Sequence, residues 1–137
     1  MLLKRGFLGG VIVGLAFLAY FLWLHGPGSN KVELINNSAH SMESVEVMVG
    51  GNVITLNLPP EEATTVYGQP IHDGPIIVTG ILGKFTFKCE IGYTTGGLRT
   101  SSVFTANTDG TIQARFAEKG SQFISEQGCL KELYLVN

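Results

Sequence analysis

The sequence predicts an all-β domain, a small antiparallel two-sheet sandwich, carried behind one N-terminal transmembrane α-helix. Three observations predict it. An uncharged apolar run fills residues 7–24, apolar and polar residues alternate with period two from Lys31 onward, and turn residues interrupt that alternation. Turn signals roughly every 8 to 12 residues are the pattern of short strands stacked in two sheets.

The run from Phe7 to Leu24 holds 18 residues without a charge. As a helix it spans roughly 27 Å, close to the hydrocarbon thickness of a bilayer. A cleaved secretory signal has a shorter apolar run, about 7 to 15 residues, and ends at a small-x-small site. Here the run ends in bulky Tyr20, Phe21, Leu22, Trp23 and Leu24, and the triplet Gly26-Pro27-Gly28 carries a proline at its centre. The segment therefore reads as an uncleaved signal-anchor. Lys4 and Arg5 mark residues 1–6 as a cytoplasmic tail, and Tyr20 and Trp23 lie where amphipathic rings meet headgroups on the other side. The rest of the chain then faces away from the cytoplasm. Gly6, Gly10 and Gly14 recur every four residues, a small-xxx-small face that lets two spanning helices pack. A homo-oligomer through this helix is one reading of the pattern, and the plain frequency of glycine in membrane helices is the other.

Residues 25–30, His-Gly-Pro-Gly-Ser-Asn, show no periodicity and read as a linker. Fully extended, six residues reach at most about 20 Å, which keeps the domain at the membrane surface. Residues 31–137 are an ordinary length for one domain with its own core. Lys31–Asn36 reads as a first strand. Ser44–Val49 and Asn52–Asn57 flank Gly50-Gly51, a pair able to take positive φ at both centres of a hairpin turn. Pro59-Pro60-Glu61-Glu62 reads as a rigid connection. Ile76–Leu82, more continuously apolar, reads as a central strand that turns at Gly83 into Lys84–Ile91. In the latter, Phe85, Phe87, Cys89 and Ile91 alternate with Lys84, Thr86, Lys88 and Glu90, as in a half-buried strand. Asn107–Gly110 joins Ser102–Ala106 to Thr111–Phe116, Ser121–Gln127 closed by Gly128 reads as a helical turn, and Leu130–Val136 as the last strand. Seven or eight strands result, in an immunoglobulin-like or transthyretin-like arrangement.

The chemistry-bearing residues are few. Cys89 and Cys129 stand 40 residues apart with no C-x-x-C pairing, and no histidine lies at zinc-ligand spacing, so neither a metal nor a cofactor is expected. Outside the cytoplasm a disulfide is the natural outcome, with two buried free thiols as the alternative. His40 and His72 fall in polar turns, no G-x-S-x-G elbow occurs, and Gly80–Phe85 lacks the residues of a phosphate loop, which argues against an enzyme. Nine basic residues include Lys4 and Arg5, leaving seven against 11 acidic ones in the domain, a balance unsuited to nucleic acid. Asn36-Asn37-Ser38 forms an N-x-S triplet in which Asn36 is a glycan acceptor in a eukaryotic secretory pathway. Gly92–Ser102 reads as a long connection carrying Tyr93 and Arg99, residue types enriched at binding hot spots.

The expectation is therefore a protein-binding module on a single-pass anchor, N-terminus cytoplasmic, at a bacterial inner membrane facing the periplasm. An accessory or scaffold subunit and an immunity protein against a periplasm-acting toxin both fit. A tethered lipid or small-molecule binder is the alternative, and it requires an apolar pocket of several hundred Å³.

Overall fold

The computed structural model describes residues 10–20, 30–96, 99–118 and 125–133. Ten strands lie among them: β1 (Asn30–Asn36), β2 (Met42–Val49), β3 (Asn52–Leu58), β4 (Glu62–Gly68), β5 (Gly74–Leu82), β6 (Phe85–Thr94), β7 (Thr100–Ala106), β8 (Ile112–Glu118), β9 (Ser125–Gly128) and β10 (Leu130–Leu133). They form two five-stranded sheets, ordered β4-β1-β7-β8-β9 and β10-β6-β5-β2-β3. Alternation decides which side chains meet between the sheets. Val32 and Leu34 of β1, Phe104 of β7 and Phe116 of β8 pack with Val47 of β2, Val78 of β5 and Phe87 of β6 in one core. The sandwich expected from the sequence is present, with more strands than the seven or eight counted there.

The Gly50-Gly51 hairpin forms as expected, at φ 49° and 82°, and Gly83 turns β5 into β6 at φ 60°. Four differences carry physical reasons. The sandwich is not wholly antiparallel: β1 pairs parallel with β7. The chain leaves β1 for the other sheet, so no hairpin ties β1 to its sequence neighbour. Strand β4 lies at the edge after Pro59-Pro60-Glu61, paired only with β1, and only Val66 gives its inward face an aliphatic signal. Ser125–Gly128 is a strand and not part of a helical turn, because it pairs with β8; residues 121–124 lie outside the described residues. Strand β6 runs on to Thr94 and β7 begins at Thr100, so the long connection expected at Gly92–Ser102 shortens to 95–99 and crosses between sheets.

The helix over residues 10–20 falls inside the expected span 7–24. Its eleven residues cover only about 16 Å. Among the described residues, no helix is long and apolar enough to cross a membrane; the remainder of the expected span lies outside them.

Two short crossings close the flanks of the sandwich. On one, β3 of the second sheet passes to β4 of the first through Pro59-Pro60-Glu61, with Glu61 at φ 60°. On the other, Cys129 alone separates β9 from β10, and it is bridged to Cys89 of β6 with Cα atoms 4.6 Å apart. The expected disulfide thus fastens the point where the chain changes sheets.

Strand β1 also defines the two ends. One end, called the linker end because the expected linker precedes it, lies at Asn30, where the connections 50–51, 69–73 and 95–99 gather; the far end, at Asn36, gathers 37–41, 59–61, 83–84 and 107–111. The inward residues of β1 read Asn30, Val32, Leu34, Asn36, apolar in the middle and amide at each end, and all four are fully buried.

Candidate functional site

At the far end, Asn36 is a hub. Its Nδ2 donates to the carbonyls of His40 (2.8 Å), Leu58 (3.0 Å) and Pro59 (3.1 Å), and its Oδ1 accepts from Ser38 N (3.1 Å) and Ser38 Oγ (2.7 Å). Buried polar groups need such partners. The same burial closes Asn36 to glycosylation in the folded chain, which corrects the expectation from its triplet. Ser38 Oγ is also held by the backbone of His40, at 2.9 Å to the carbonyl and 3.3 Å from the amide. This hydroxyl organises the β1–β2 loop.

Around that loop the far-end turns enclose an open cleft of about 280 Å³. Leu82 and Phe85 give it an apolar floor, and His40, Lys84, Asp109 and Lys131 stand at its rim. The His40 ring packs on Gly83, where a Cβ would approach it to 3.2 Å. Lys131 Nζ donates to the Gly110 carbonyl at 2.7 Å and lies 4.3 Å above the centre of the Phe85 ring. The hydrogen bond ties β10 to the turn after β7, and the cation–π contact ties it to the start of β6. The Asp109 carboxylate accepts from Thr111 Oγ1 (2.6 Å) and Thr111 N (2.9 Å), which hold it below the usual carboxylate range. The rim therefore offers two ammonium groups beside an aromatic face, while its carboxylate already has partners. Such a rim suits a chain or ligand presenting an acidic group next to an apolar one. The cleft is smaller than most ligand sites and lies outside the packed core.

At the linker end, Asn30 makes fewer bonds, accepting from Thr100 Oγ1 and donating to Gly68 O at 3.4 Å. Thr94 Oγ1 donates to Gly74 O at 3.1 Å, closing β6 against β5. Tyr93 ends β6 at 55% exposure, and Arg99, half-buried, precedes β7. Arg99 lies in the crossing to β7, whereas Tyr93, expected in the connection, belongs to β6, which runs on to Thr94. His40 and His72 are exposed turn residues, on opposite ends of the sandwich. Among the described residues, no group of three or more His, Cys, Asp or Glu side chains is placed to hold a metal ion. Gly10 and Gly14 lie in the helix with nothing within 4 Å of an added Cβ; Gly6 lies outside the described residues.

Sequence reasoning missed the pairing of Lys131 with Phe85 and the gathering of Lys84 and Asp109 beside them. These residues come from two separate turns, from the start of β6 and from β10, and only the topology joins them. No protein-family model, curated protein or solved structure matches the chain.

Proposed function

We propose that this chain is a single-pass, membrane-tethered interaction module: an anchor over residues 7–24, a short linker, and an extracytoplasmic β-sandwich that binds a protein partner. The observation that carries this reading is the helix over residues 10–20. Its apolar side chains, among them Val11, Ile12, Val13, Leu15, Phe17 and Leu18, are exposed. A helix apolar on all sides and not packed into a protein core belongs in lipid. Lys4 and Arg5 favour a cytoplasmic N-terminus, and the spare anchor with a small domain fits the periplasmic face of a bacterial inner membrane. Gly10 and Gly14, with open space over them, leave a face for helix pairing.

Partner recognition can fall at Tyr93 and Arg99 or at the far-end cleft. The cleft is favoured because it is concave and points away from the tethered end. An accessory subunit and an immunity protein present the same surface, and co-expression with a toxin encoded beside the gene separates them. A second reading, binding of a small molecule with an acidic head and an apolar body, draws on the Leu82–Phe85 floor and the lysines beside it.

Lysine-directed crosslinking in native membranes tests the main reading. A specific protein is expected to be captured, and to be lost in a Lys84→Glu, Lys131→Glu variant that stays folded. Capture of the chain alone, in repeated trials, would replace partner binding with homo-oligomeric structure. Extraction at alkaline pH is expected to leave the full-length chain in the membrane pellet; a shortened soluble form would refute the anchor.

A further inference from the structure

We infer that the linker end of the sandwich docks on the bilayer, seating Ile71, with Tyr67 and Tyr93 at the headgroup level. This inference rests on the tethered reading above, and it names what the domain touches besides its partner. Asn30, expected in the linker, is the first residue of β1, so the five tether residues 25–29 reach at most about 18 Å and the linker end faces the lipid surface.

That end is built for contact with an apolar interface. Ile71 is 76% exposed, yet its backbone is fixed: the amides of Ile71 and His72 both donate to the Gly50 carbonyl, at 2.8 and 3.1 Å. Glycine at position 50 makes room for this, since a Cβ there would fall 2.3 Å from the His72 carbonyl oxygen and 2.4 Å from Pro70 Cβ. The fold thus holds an isoleucine outward on an anchored loop. Tyr67 is 65% exposed at the end of β4, and Tyr93 stands at the end of β6. Tyrosine suits the headgroup region because its ring is apolar and its hydroxyl polar.

The outer face of the second sheet grades in the same direction. Register places Val53, Met48 and Ile77 in one cross-strand row near the linker end, ending at Glu90. The next row toward the far end reads Thr55, Glu46, Thr79, Lys88. Among the described residues this end carries both signs, Lys31 and Arg99 with Asp73, Glu90 and Glu118, so apolar insertion, and not attraction to anionic lipid, makes the contact. A second protein is the competing occupant, and the test reads it directly.

The full-length chain is reconstituted in phosphatidylcholine–phosphatidylglycerol vesicles with an environment-sensitive fluorophore at Ile71→Cys, or at Thr108→Cys in a far-end turn. Because Cys89 and Cys129 are bridged, the label goes to the introduced thiol. Iodide is expected to quench position 71 about two-fold less than position 108, as for a group immersed in the headgroup boundary. A nitroxide lipid is expected to quench position 71 selectively. Adding Ile71→Asp to a chain labelled at Val53→Cys should raise iodide quenching there. Equal iodide quenching at 71 and 108, with the chain retained after alkaline extraction, overturns docking and leaves the tether standing. Loss of the chain on extraction overturns both. Protection at 71 from iodide and nitroxide alike, lost on dilution into more lipid, assigns the surface to a second copy and overturns lipid docking.

Discussion

The two ends of the sandwich use the same device and spend it differently. Each is plugged by a fully buried asparagine at an end of β1, but among the described residues Asn36 serves five hydrogen-bond contacts while Asn30 serves two. The far end gathers its loops around one amide and shows solvent a rim of Lys84, Asp109 and Lys131. The linker end, less tightly bonded within, shows Ile71, Tyr67 and Tyr93. A surface that must hold a fixed shape in water is stabilised by an internal polar network. The proposed docking of the linker end on lipid accords with its sparser internal network.

The largest disturbance to this contrast is removal of the disulfide. Cys129 N donates to Ile112 O at the start of β8, and two residues later Lys131 reaches Gly110, so the bridge holds β10 onto the far-end cleft. A Cys89→Ser, Cys129→Ser variant should lose about 4 kcal/mol, the loop-closure entropy expected for a 40-residue separation. Urea unfolding of the full chain in non-ionic micelles measures it, and fluorine probes at Phe85 should report loss of the Lys131 contact before global unfolding. Next comes Asn36→Ala, which strands buried carbonyls and the Ser38 hydroxyl and should cost about 3 kcal/mol; Asn30→Ala should cost about 1 kcal/mol. If the two truncations prove equal, the difference between the ends is not energetic.

Much of the fold was legible because alternation and turn chemistry are local. Gly50-Gly51, Gly83 and Asn107–Gly110 each announce their turns, and Phe87, Cys89 and Ile91 declare the inward face of β6. The parallel β1–β7 pair was not legible, because register between distant strands is set by packing across the core. Strand β9 was hidden for a related reason: Ser-Glu-Gln-Gly has no apolar period, and its conformation comes from the ladder with β8. Of the candidate sites, Tyr93 and Arg99 were visible as residue types, although Tyr93 belongs to β6 and only Arg99 to the connection. The roles of Asn30 and Asn36 were not, since an amide in a strand reads as polar punctuation until the carbonyls it serves are placed around it.

A smaller effect of opposite sign sharpens the view of the linker end. The Ser102 hydroxyl, two residues along β7 from Thr100, is fully buried and has no hydrogen-bond partner among the described residues. An unsatisfied buried hydroxyl costs stability that its removal restores, so Ser102→Ala should stabilise the chain by about 1 kcal/mol in the same urea experiment. A loss of comparable size would mean that the hydroxyl is satisfied and that the linker end is as well bonded as the far end.

The smallest effect belongs to the far end and depends on pH. The Asp109 carboxyl is held low first by the Thr111 hydroxyl, next by the Thr111 amide, and only weakly by the charge of Lys131. A carboxyl whose folded pKa lies below its unfolded value contributes stability above the unfolded pKa and loses it as pH falls through the folded one. Acidification below the usual carboxylate range should therefore loosen the Asn107–Thr111 turn and with it the cleft rim. Asp109→Asn should remove that acid-dependent step. Carboxyl carbon shifts followed by NMR give the ranking: Thr111→Val should raise the Asp109 pKa clearly, and Lys131→Ala should raise it less. The reverse order would make the rim an electrostatic pair, with Asp109 available to a cationic ligand, and would transfer the acidic-ligand preference away from this cleft.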